Sequence, residues 1–134
     1  MIGVGVLVTN INVPKILHDY LDEARKCYAF QQYNAVNALS RTILEIAMRD
    51  ICIRKGLIED IADPEKSYKK YPPSKLIDYV STGNRNKNIR KLYYNRLSTL
   101  IHGYRSLSNE NIGIELRDTM KTIEELYEYH NIKV

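Results

Sequence analysis

Apolar residues recur at helical spacing in five stretches of the chain, and no stretch alternates apolar with polar positions long enough to demand a strand. Asn12 is a fair N-cap with Pro14 in the first turn. Ile16, Leu17, Tyr20, Leu21, Ala24, Cys27 and Tyr28 then follow on one face, predicting a first helix to about Phe30. Gln31-Gln32-Tyr33 breaks it. A second helix is expected from about Asn34 to Lys55, stopped by Gly56, with Ala35, Val36, Leu39, Ile43, Ile46, Ala47, Met48, Ile51 and Ile53 covering most of its circumference. This pattern belongs to a central, largely buried helix.

Asp60 to Pro73 is polar and carries Asp63-Pro64, Lys69-Lys70 and Pro72-Pro73, so it is expected as a connection leading to a short helix from about Ser74 to Val80. Ser81 to Asn88 predicts a loop before a fourth helix, about Asn88 to Ile101, ended by Gly103. Asn109 and Glu110 open a last helix whose apolar face is Ile112, Leu116, Met120, Ile123, Leu126 and Tyr127. With no internal repeat, the simplest architecture is an all-α, antiparallel four- to five-helix bundle over 12–134, behind a short apolar leader over 1–11. Met1 to Val8 of that leader lacks a basic flank and is too short to cross a bilayer, and its Gly3-Val4-Gly5 is no dinucleotide fingerprint. It suggests at most the scar of a longer chain.

Composition adds little until it is placed along the chain. The 134 residues carry 20 Lys and Arg against 16 Asp and Glu, a net charge of +4, with nothing to suggest disorder, collagen or a disulfide scaffold. Cys27 and Cys52 lie inside apolar helical patterns without metal-ligand spacing. They read as core thiols of a cytoplasmic protein. No arrangement around His18 or His130 suggests a metal, and no cofactor is expected. The charge itself is unevenly distributed. Between Asp78 and Glu110 there is no carboxylate, while Arg85, Lys87, Arg90, Lys91, Arg96 and Arg105 fall there, so this segment is +6 and the remainder −2.

On a regular fourth helix, Ile89, Leu92, Tyr93, Leu97, Leu100 and Ile101 make one apolar arc, and Arg96 projects from near its middle. A guanidinium there requires an anionic partner, since a lone buried charge costs several kcal/mol. Glu45 is the best candidate within the chain. It is the only acid between Glu23 and Asp50, and with Arg41 and Arg49 it forms a polar stripe at i, i+4, i+8 on the central helix. His102 follows Arg96 by six residues, about two-thirds of a turn round and about 9 Å along a regular helix.

The run Asn95-Arg96-Leu97-Ser98-Thr99-Leu100-Ile101-His102-Gly103-Tyr104 resembles the Arg-x(4-6)-His motif of HEPN domains, the helical "higher eukaryotes and prokaryotes nucleotide-binding" superfamily. Leu21 to Tyr28 and Tyr33 to Glu45 resemble the first two helices of its uncharacterised bacterial branches, in which an Arg-x-x-x-Glu pair, here Arg41 and Glu45, precedes the motif helix. The resemblance spans about Ile16 to Tyr129. It implies a metal-independent endoribonuclease, active as a homodimer through the motif helix and set in a toxin–antitoxin or phage-defence system.

Carried over by residue, the resemblance gives His102 the acid–base work, a task imidazole suits near neutral pH, and gives Arg96 the phosphate. Asn95 and Tyr104 would assist, and Arg85, Arg90 and Lys91 would follow the RNA backbone. Arg41 and Glu45 would serve as a structural ion pair. Leu97 stands where active members often carry Asn, Asp or His, and Asn95 lies before the arginine instead. The expected partners are RNA, a second copy of the chain, and an antitoxin or sensor protein, with no membrane. The alternative is a non-catalytic HEPN-like module that mediates association or binds RNA or a nucleotide, within a larger effector.

Overall fold

A computed structural model of the chain describes residues 13–97 and 109–132, with side chains of the second stretch from Gly113 onward. Everything regular among the described residues is helical. The elements are α1 (Lys15–Ala29), α2 (Tyr33–Arg54), α3 (Pro64–Lys70), α4 (Pro73–Val80), α5 (Gly83–Arg90), which runs on into a π-helical segment (Lys91–Arg96), and α6 (Asn109–Tyr129). The leader over 1–11 lies outside the described residues, as do Asn12, His102, Gly103, Tyr104 and Arg105.

The central helix is where the apolar pattern put it. α2 packs on α1, α4 and α6, and buries Val36, Ile43, Leu44, Ala47, Met48, Ile51 and Cys52. α1 contributes Leu17, Leu21, Ala24 and Cys27, and α6 contributes Leu116, Met120, Ile123, Leu126 and Tyr127. Burying such side chains is worth about 1.5–3 kcal/mol each, which is what holds these helices together.

Three helices end in the same device. After α2, Gly56 takes φ +70°, the Leu57 N–H donates to Cys52 O at 2.8 Å and the Gly56 N–H to Ile53 O at 3.1 Å. This is a Schellman closure, and glycine is the natural residue for it. Gln31 (φ 62°) after α1 and Asn131 (φ 58°) after α6 make the same pair of bonds without glycine.

Three features depart from the sequence expectations. The connection after Asp60 holds a helix, α3, because Asp63 caps it by accepting from the Glu65 N–H at 3.0 Å and Pro64 occupies its first turn. The loop expected over Ser81 to Asn88 is mostly α5. The bundle is also not antiparallel throughout. Tyr28, near the end of α1, lies beside Tyr33 at the start of α2 and reaches Gly113 near the start of α6, while Tyr127 near the end of α6 bonds Asp50 near the end of α2. α6 therefore runs parallel to α2, with α1 antiparallel to both.

Candidate functional site

The π-helical segment decides where Arg96 points. Its Leu97 N–H donates to Leu92 O, five residues back, at 2.9 Å. In such a wide turn Leu97 returns over Leu92, and both are buried, while Arg96 falls one residue short of the turn and swings to the edge. Ile89, Leu92, Tyr93 and Leu97 of the expected arc are thus buried, Leu100 and Ile101 lie outside the described residues, and Arg96 stands at the edge. Its side chain is 35% exposed.

The partner of Arg96 is correspondingly different from the one expected. Its guanidinium donates to Asp118 Oδ2 on α6 at 2.6 Å, in place of Glu45. Both side chains are about one-third exposed, and a pair of that exposure adds about 1 kcal/mol or less to stability. What the bond supplies is direction. It fixes one edge of the guanidinium at the wall of an open groove of about 260 Å³ between the π-helical segment and α6, lined by Lys91, Arg96, Asp118, Lys121 and Glu125. A second recess of about 330 Å³, beside Arg85 and Asn88, adjoins it along the same two helices.

Other members of the basic segment are partly neutralised by helices distant in sequence. Arg90 donates from Nε to Asn86 Oδ1 at 3.0 Å and pairs with Asp78, and these bonds from Arg90 and then Asn86 hold the Asp78 carboxyl below its usual range. Arg85 lies over the Tyr129 ring, 4.8 Å from its centroid. Lys91 and Asn95 are exposed. Among the residues expected to bind or cut RNA, the structure brings Lys91 and Arg96 to one groove, sets Arg85 in the adjoining recess, turns Arg90 to α4, and leaves Asn95 in solvent.

Glu45 belongs to the opposite face of the π-helical segment. It accepts from Arg49 at 3.5 Å and from the Tyr93 hydroxyl at 3.3 Å. Burial, and then the Glu45 charge, push the Tyr93 phenol up to about 12, so it remains a donor at neutral pH. Arg41 pairs with the face of the Tyr93 ring, 4.6 Å from its centroid, rather than with Glu45. The expected ion pair of Glu45 and Arg41 is therefore made by Glu45 and Arg49, one turn further along the same stripe. Arg49 also donates to Ser67 Oγ at 2.8 Å and to Tyr71 O at 3.0 Å, which ties α3 to α2.

The remaining expectations concern residues outside any groove. Cys27 and Cys52 are buried free thiols, and burial raises Cys52 to about 11. His130 Nε2 donates to Val80 O at 3.0 Å, joining the end of α6 to α4. Among the described residues no group of three or more His, Cys, Asp or Glu could hold a metal ion, and no helix is long and apolar enough to cross a membrane.

Asp118, Lys121 and Tyr68 did not stand out in the sequence. Asp118, Lys121, Thr122 and Glu125 do form a polar stripe at i, i+3, i+4, i+7 beside the apolar face of α6, which is the signal that would have found the groove's second wall. No family model, curated protein or solved structure matches the chain.

Proposed function

We propose that this protein is a metal-independent endoribonuclease of the HEPN type, acting as a homodimer. The observation that carries the reading is the placement of Arg96: part-exposed, held at one edge by Asp118, and set in an open groove beside Lys91 and Lys121. A guanidinium's planar fork matches the oxygens of a phosphate, and one already aimed by its bond to Asp118 loses less freedom on binding than a loose one.

In the reaction the 2′-hydroxyl of a ribose attacks the adjacent phosphorus while the 5′-oxygen leaves. The 2′-proton passes to a base, a proton is returned to the leaving oxygen, and a 2′,3′-cyclic phosphate and a 5′-hydroxyl result. Arg96 donates to the non-bridging oxygens as their charge develops. His102, assigned from its place in the motif, carries the protons. Two copies meeting at the motif helix supply a second arginine and histidine.

The test is incubation of the purified chain with RNA in EDTA, comparing wild type with Arg96→Ala and His102→Ala. Each variant is expected to lose about a hundredfold or more in rate. Absence of cleavage by wild type, or cleavage unchanged in both variants, overturns the reading. The 2.6 Å bond between Arg96 and Asp118 favours the second reading, a non-catalytic module in which this arginine orients α6 against the π-helical segment. Under it, wild type does not cut RNA and His102→Ala is silent.

A further inference from the structure

On the far side of the π-helical segment from Arg96, α2, α3 and Tyr93 border an open recess of about 310 Å³, at the low end of the range that holds small ligands. Glu45 and Arg41 project into it from α2, one turn apart, and Tyr68 stands on its rim. We infer that this recess binds a guanine base, as a free nucleotide or within a strand.

The donor and acceptor pattern carries the inference. Glu45 offers only acceptors, and its two bonds, at 3.3 and 3.5 Å, are long for a carboxylate, so its lone pairs are incompletely used. Arg41 offers only donors, and its guanidinium lines the recess from over the Tyr93 ring. A ligand that fits must present adjacent donors to the carboxylate and acceptors to the guanidinium a few ångströms away. Guanine does so, with N1–H and N2–H₂ beside O6 and N7. Adenine turns the lone pair of N1 toward the same carboxylate, and cytosine and uracil each lack the pair of adjacent donors.

The third element is an aromatic surface. Tyr93 already has Arg41 over its ring, whereas Tyr68 is 53% exposed. Such a ring is a platform on which a base can stack. Its helix has only seven residues, yet Arg49 anchors it through Ser67 and Tyr71, so Tyr68 is held at a set distance from Glu45. The site is therefore preorganised from two helices by one arginine that is not itself in contact with the recess.

Binding here does not require RNA cleavage, and ligands without a 2′-hydroxyl next to a phosphodiester keep the two questions apart. The full chain is titrated calorimetrically with GMP and AMP, and with all-deoxy tetramers holding a single guanine or a single adenine. Guanine is expected to bind about tenfold or more tighter than adenine. Tyr68→Ala, at an exposed position that leaves the core intact, is expected to weaken guanine binding about tenfold. Glu45→Gln, which keeps the shape but adds a donor, is expected to narrow the guanine-to-adenine ratio. Binding of GMP alone identifies a free nucleotide as ligand, and tighter binding of the tetramer identifies a strand. Equal affinities for guanine and adenine, no binding of either form, or an unchanged Tyr68→Ala variant overturns the inference.

Discussion

Gly113 lies in α6 where that helix crosses Tyr28 of α1. A Cβ at Gly113 would sit 2.7 Å from Tyr28 Oη but 3.4 Å from Cζ, so the obstruction is the hydroxyl and not the ring. Glycine in a helix interior costs about 1 kcal/mol against alanine, and this one is retained where the neighbouring side chain comes closest. Gly113→Ala alone therefore sets the helix gain against displacement of Tyr28, and the two are expected nearly to cancel or to end in a loss. In a Tyr28→Phe background the contact becomes ordinary, and Gly113→Ala is expected to stabilise by about 0.5–1 kcal/mol. Denaturant unfolding of the four members of this cycle measures the coupling. Additive effects would mean that the hydroxyl is not the obstruction.

At the scale of elements, what the sequence conveyed was periodicity, and what it concealed was a change of period. α1, α2, α4 and α6 followed from i, i+3, i+4 patterns, with ends within a residue or two of the capping signals. α3 was hidden because Asp63-Pro64 serves equally to open a turn or a helix. The turns at Gln31 and Asn131 adopt positive φ without a glycine to announce them. A period of 100° per residue puts Arg96 on a buried face, but i→i+5 bonding widens the turn over Lys91–Arg96 and moves it to the edge. The acid that answers it, Asp118, lies 22 residues further on, and a charge pattern along the chain does not show which helices face each other.

The same geometry yields a prediction about the element. Tyr94 is an exposed residue within the wide turn, and its deletion would bring Leu97 four residues after Leu92, the spacing at which an ordinary α-turn stacks them. The deletion variant is expected to keep its helical circular dichroism and to lose less stability than Leu97→Ala, for which about 2–5 kcal/mol is expected from a fully buried leucine. A deletion variant less stable than Leu97→Ala would show that the wide turn is required by the core and not only tolerated by it.

Across the whole molecule, charge and tyrosine distribution set the response to pH. Among the described residues the basic segment does not form an unopposed positive face, because Asp78, Asp118 and Glu125 approach it from α4 and α6, while Lys87 and Lys91 are exposed. At high pH the tyrosines dominate. Among the described tyrosines Tyr71, Tyr93 and Tyr127 are buried; Tyr93 is raised to about 12 and Tyr127 higher still, in each case by burial first and then by a carboxylate, Glu45 or Asp50.

A phenol is neutral when protonated, so a folded-state pKa above the unfolded value means that the native protein holds the proton more tightly. The stability attached to these two groups is whole below about pH 10, the unfolded value, and is lost as pH rises from there through the folded values. In an alkaline titration the last part of the tyrosinate absorbance is expected to rise only together with the loss of helical circular dichroism. Tyr93 and Tyr127 then ionise only as the helices melt. Tyr127→Phe removes the 2.7 Å bond to Asp50 and one of the two late groups. It is expected to cost about 1–2 kcal/mol at neutral pH while making stability fall less steeply above pH 10, because the proton it would have held is no longer at stake. Full tyrosinate absorbance reached with the helices intact would place Tyr93 and Tyr127 in contact with solvent and remove the basis for both effects.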